Sequence, residues 1–142
     1  MKIYIGAKFK NADIVNRLTG DFRKKGIFNN YNWAYDVKTE ETLADLVDSG
    51  NLEKEAVKDA DALVFLLPLG RGGNMDFGMG ISEEKPIILC AENEKEIMED
   101  PVNYYMMPNV TTIISDYAEI DDKIFDKLNE LKPKTLGEKT RN

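Results

Sequence analysis

The chain has 142 residues, 26 acidic and 19 basic, with a formal net charge of −7; that length suits one domain with a single core, and the scattered basic residues argue against a nucleic-acid polymer as partner. One cysteine and no histidine exclude an intramolecular disulfide, the Ser-His-Asp and Cys-His triads and the usual zinc sites, so catalysis must run on carboxylates, tyrosines, amides or a lysine. No apolar stretch approaches the ~20 residues that span a bilayer, and a soluble, cytoplasmic protein with no membrane partner is expected.

KIYIG (2–6) is a β-rich run closed by glycine and reads as a buried strand. Ile14, Val15, Leu18 and Phe22 then recur at helical spacing, with Gly26 as a C-terminal cap. FNNYNWAYD (28–36) fits a second strand leading into a loop. TEETLADLVDSGNLEKEAVKDA (39–60) has helical spacing, with Ser49-Gly50 expected to break it into two helices. DALVFLLPL (61–69) is continuously apolar, as in a parallel strand covered on both faces, and belongs at the sheet centre. GRGGNMDFG (70–78) sets four glycines around Asp76, and Asn74 to Ser82 reads as the opening of a helix.

KPIILCA (85–91) forms a fourth strand, in which Cys90 is expected to be a buried structural thiol. NVTTIIS (109–115) forms a fifth, and Ile120, Ile124, Leu128 and Leu131 mark one face of a final helix. Residues 1–132 are read as the folded domain and 133–142 as a polar, frayed tail. Strands alternating with helices indicate a single doubly wound α/β domain, a flavodoxin- or Rossmann-like parallel sheet of about five strands with helices on both faces. Ligands of such sheets bind at the carboxyl ends of the strands. The loops GAKFKNA, after the first strand, and GRGGNMDFG both fall on that edge.

The glycines around Asp76 admit more than one reading. A phosphate-cradling loop is weakly supported, because the Gly-Lys-Ser/Thr ending is missing and the loop does not follow the first strand. An acid in the first turn of a helix is held ionised by the helix dipole, and an ionised, positioned carboxylate can trap an oxocarbenium-like sugar carbon. Plain helix capping by Asp76 is the alternative.

DALVFLLPLGRGGNMDFGMGISEEKPIIL (61–89) resembles the core of the nucleoside 2-deoxyribosyltransferase family: apolar strand, glycine-containing loop, acid-x-Gly, helix, Lys-Pro, strand. KIYIGAKF is similar to the family's first strand and loop, and PVNYYMMPNV (101–110) to its Pro-x-Asn segment. The resemblance implies that Asp76 is the nucleophile, that Tyr4 steers it, and that Glu53, eight residues before Asp61, contacts the base or assists proton transfer. It further implies a substrate pocket lined by Gly6, Ala7, Gly70, Arg71, Gly72 and Tyr105. Asn103 would reach into a neighbouring subunit's pocket, so a homo-oligomer with shared active sites follows.

The implied reaction cleaves the N-glycosidic bond of a deoxynucleoside and passes the sugar to another base, with a small-molecule nucleoside or nucleotide as partner and no metal or organic cofactor. Two alternatives remain: a nucleoside 5′-monophosphate N-glycosidase, with Arg71, Lys8 and Lys10 receiving the phosphate, or a member that binds a nucleotide without turnover. Trp33 and Tyr35 either stack on a nucleobase or serve the core or an interface. Two positions depart from the family pattern: Asp76 stands in place of glutamate, and Glu53 in place of aspartate.

Overall fold

The computed structural model describes residues 1–35 and 41–131. The tail expected from residue 133 lies outside the described residues, as does Asp36 of the expected second strand. Five parallel strands, β1 (Lys2–Gly6), β2 (Phe28–Asn29), β3 (Ala62–Leu66), β4 (Ile87–Ala91) and β5 (Val110–Ile114), form one sheet in the order β2-β1-β3-β4-β5. The apolar run of β3 is therefore central, and all five of its residues are buried. The helices are α1 (Ala12–Arg23), α2 (Leu43–Asp59), α3 (Arg71–Ser82), the short α4 (Lys95–Met98) and α5 (Asp121–Leu131).

Strand pleating sends successive side chains to opposite faces, and here it separates two cores. Ile3, Ile5, Val64, Ile88 and Cys90 pack with Val15, Leu18 and Phe22 of α1 and with Ile124 and Leu128 of α5. Tyr4, Leu63, Phe65 and Leu89 face the other way, against Ala56 and Val57 of α2 and Phe77 of α3. The parity of β1 thus points Tyr4 at the face that carries the two acids of interest. No helix among the described residues is long and apolar enough to cross a membrane.

Three elements differ from expectation. The second strand is only two residues long, and residues 30–35 form a loop anchored by amide side chains to the neighbouring helices. Asn30 Nδ2 donates to Ala56 O at 3.0 Å, Asn16 Nδ2 to Ala34 O at 3.0 Å, and Asn32 Nδ2 to Asn16 Oδ1 at 2.8 Å. Secondly, α2 runs unbroken through Ser49-Gly50. Its start is fixed by a capping box in which Thr42 Oγ1 accepts from Asp45 N and Asp45 Oδ2 from Thr42 N, both at 3.1 Å. Thirdly, α3 begins at Arg71, so Gly72 and Gly73 lie inside the helix and not in a loop before it.

Candidate active site

Tyr4 on β1, Glu53 on α2 and Asp76 on α3 meet on one face of the sheet. The Tyr4 hydroxyl donates to Asp76 Oδ2 at 3.1 Å. Glu53 and Asp76 share a hydrogen bond that raises the first acid and lowers the second, which places the shared proton on Glu53. Three elements separated by up to 72 positions in sequence thereby bring an acid pair and a phenol together.

Asp76 is 6% exposed, and it stands on the sixth residue of α3, beyond the first turn. The helix dipole fades within that turn, so dipole stabilisation of the charge, expected from sequence, is replaced by burial acting the other way. Burial pushes the Asp76 carboxyl up to about 6, against the lowering hydrogen bonds from Tyr4 and Glu53. Glu53 is pushed up to about 7, first by burial, then by the Asp76 charge and their hydrogen bond, with Glu41 adding a smaller push. The Tyr4 phenol is raised by burial and by both acids, and so stays a donor throughout the neutral range. Between about pH 6 and 7 this cluster favours an ionised Asp76, a protonated Glu53 and a phenol that donates to the carboxylate. A buried carboxylate next to a group that can give up a proton is an arrangement able to break a bond to a poor leaving group.

Around this cluster the predicted residues fall into two groups. Gly6 ends β1, where a Cβ would meet the Phe65 ring at 2.6 Å; the missing side chain admits Phe65. Ala7, half-buried, follows it. Gly70 caps the N-terminus of α3, and a Cβ there would lie 3.8 Å from Lys8 Cε, so the Lys8 stem runs along the start of that helix. Arg71 and Gly72 are exposed on the first turn, and no acid pairs with Arg71 among the described residues. Asn103 is exposed at the head of a 3-10 turn, Asn103–Met106, and its side chain bonds to no described residue.

Tyr105 is buried instead. Its hydroxyl donates to Asn74 Oδ1 at 2.7 Å and its ring meets Phe77 edge-on at 4.9 Å. Trp33 Nε1 donates to Ile5 O at 2.8 Å beside the end of β1, with its ring 5.9 Å from Phe9, whereas Tyr35 is 84% exposed. Sequence reasoning missed Tyr31, whose phenol lies close enough to Tyr4 to raise it, and the bonding of Asn74, which it read only as the first residue of the helix. A surface cavity of about 390 Å³, lined by Thr19, Arg23, Phe28, Asn29, Asn32 and Tyr35, holds none of the three clustered groups.

The arrangement is that of a doubly wound α/β protein with a carboxylate pair between two helices on one face of the sheet. Among solved structures the chain is similar to a CMP N-glycosidase of Clostridium botulinum, BcmB, with a TM-score of 0.63 over 88% of this chain and 99% of that chain, at 18% sequence identity. The sequence matches no family model and no curated protein.

Proposed function

We propose that this protein cleaves the N-glycosidic bond of a nucleoside or nucleotide, with Asp76 as nucleophile. The observation that carries the reading is the Tyr4 hydroxyl at 3.1 Å from Asp76 Oδ2, beside a Glu53 whose carboxyl is pushed up to about 7. In the first step Asp76 attacks the anomeric carbon and the bond from that carbon to the base nitrogen breaks. The base departs with the electron pair and takes the proton of Glu53, leaving a glycosyl ester on Asp76 and a Glu53 carboxylate. In the second step an acceptor attacks the same carbon, Glu53 takes back a proton from it, and Asp76 is released. Tyr4 holds the carboxylate in line during both steps.

With a second base as acceptor the reaction is 2-deoxyribosyl transfer; with water it is hydrolysis. The fold shared with a CMP N-glycosidase and the placement of Lys8 and Arg71 at the start of α3 favour a second reading, hydrolysis of a nucleoside 5′-monophosphate, because cations beside a helix N-terminus suit a phosphate. Both readings have the small-molecule nucleoside or nucleotide as partner and need only this chain's side chains for the bond cleavage. A homo-oligomer with Asn103 reaching a neighbouring site is part of the proposal. Exposed apolar side chains on α2 (Leu43, Leu46, Val47) and on and near α3 (Met75, Tyr104, Met106) supply surface for a second copy.

The test is incubation with the four deoxynucleosides, CMP and the four deoxynucleoside monophosphates, with and without an acceptor base, followed by chromatography for free base. Release from deoxynucleosides only with acceptor supports transfer, and release from monophosphates alone supports hydrolysis. Ligand binding without any release, or turnover unchanged in Asp76→Asn, sinks the catalytic reading.

A further inference from the structure

The helix that presents Asp76 is a poor helix by composition. Gly72, Gly73, Gly78 and Gly80 make up four of its twelve residues, and its N-cap, Gly70, offers no side-chain hydrogen bond. Each glycine weakens a helix interior by about 1 kcal/mol relative to alanine, so something other than propensity must hold the first two turns in place. Asn74 bridges that gap. Its Nδ2 donates back to Gly70 O at 3.1 Å, and its Oδ1 accepts the Tyr105 hydroxyl at 2.7 Å. Tyr105, 6% exposed, comes from the 3-10 turn that follows α4 and β4, a separate part of the chain. Its ring stands edge-on to Phe77 at 4.9 Å, and Phe77 lies 5.1 Å from Phe65 of the central strand. Phe77 is the residue after Asp76.

We propose that Tyr105 is a positioning residue: its hydrogen bond to Asn74 and its contact with Phe77 clamp the first two turns of α3 and so fix the presentation of Asp76. The hydroxyl is committed within the protein and has no role as a substrate ligand. This rests on the reading of Asp76 as the reacting carboxylate. The same link joins Asp76 to the segment that carries Asn103, two residues before Tyr105, so that any contact made by that segment is transmitted to the acid.

Tyr105→Phe keeps the ring and removes only the hydroxyl. Two readouts are needed: kcat and KM for base release, and a carbon-13 NMR titration of the Asp76 carboxyl in the ligand-free protein, where Tyr4 from β1 and Glu53 from α2 are the titratable groups that meet it. Loss of the clamp is expected to lower kcat by about tenfold or more, as small misplacements of a reacting group do, with KM within about twofold and a displaced Asp76 titration. Asn74→Ala should give the same pattern and carries the test alone if Tyr105→Phe does not fold; the double variant should lose no more than the worse single one. An unchanged Asp76 titration in both variants overturns the proposal. A raised KM with kcat retained also overturns it, since the hydroxyl then meets substrate. If the wild-type protein cleaves no nucleoside or nucleotide, the catalytic reading falls, while the Asp76 titration still decides the clamp.

Discussion

Two carboxyls pressed together in a partly buried site cannot both be charged without strong mutual repulsion, and the asymmetry between Asp76 and Glu53 decides which one gives way. Asp76 accepts hydrogen bonds from both neighbours, whereas Glu53 donates to it and faces Glu41 as well. The activity profile should therefore be bell-shaped and narrow. It rises as Asp76 ionises near 6 and falls as Glu53 loses its proton near 7. Glu53→Gln should flatten the alkaline limb while lowering kcat, and pH-rate profiles of the two proteins check it. Stability follows the opposite logic to a salt bridge. Both acids bind protons more tightly folded than unfolded, their ordinary values being 3.8 and 4.5. The folded state is favoured at low pH and loses stability as pH climbs from about 4 through 7. Asp76→Asn should abolish turnover yet stabilise the fold by roughly 1–2 kcal/mol at pH 7.5, with no gain at pH 4, as read by thermal melting.

At the scale of elements, glycines separate tolerance from constraint. A Cβ on Gly50 of α2 meets nothing within 4 Å, whereas one on Gly80 of α3 would lie 2.3 Å from Leu63 Cδ1 on β3 and 3.2 Å from Ile87 Cδ1 on β4. Gly50→Ala should raise stability by about 0.5–1 kcal/mol, and Gly80→Ala should lower it by about 1–3 kcal/mol as the helix is pushed off the sheet; urea denaturation of each distinguishes them. These helices also show where sequence reading stops. The periodicity of α1 and α5 and the unbroken apolar runs of β3 and β4 are legible because each buries one consistent face or both. Ser49-Gly50 misleads because glycine argues for a break locally, while the Thr42-Asp45 box and the buried Ala56 and Val57 hold the helix from its two ends. FNNYNWAYD misleads in the other direction: its aromatic residues favour a strand, but three asparagines spend their amides on neighbouring elements.

Across the whole molecule, the parity of one strand decides what meets what. Tyr4 reaches Asp76 only because β1 pairs with β3 in the register Tyr4↔Leu63, on the face shared by α2 and α3; a one-residue slip would turn it into the core of α1 and α5. No spacing rule in a single sequence reveals that register. Tyr4, Glu53 and Asp76 were therefore legible as candidates through the family resemblance, and their meeting, with Tyr31 nearby, belongs to the fold. The far side of the sheet is tied down separately. The Tyr117 hydroxyl lies 2.6 Å from Leu67 O and 2.9 Å from Cys90 O and shares its one proton between the two carbonyls, joining the carboxyl ends of β3 and β4.

Cys90 itself, fully buried on β4 and with its thiol pushed up by burial, makes the molecule its own unfolding clock. A thiol reagent cannot reach it until the middle of the sheet opens, so the rate of covalent labelling, compared with that of an unfolded peptide thiol, should report the free energy of global opening. That free energy should fall with urea along the same slope as equilibrium denaturation. Fast labelling insensitive to urea would mean instead that β4 opens locally. The single cysteine thus allows the pH dependence set by Asp76 and Glu53 to be followed in the unaltered chain.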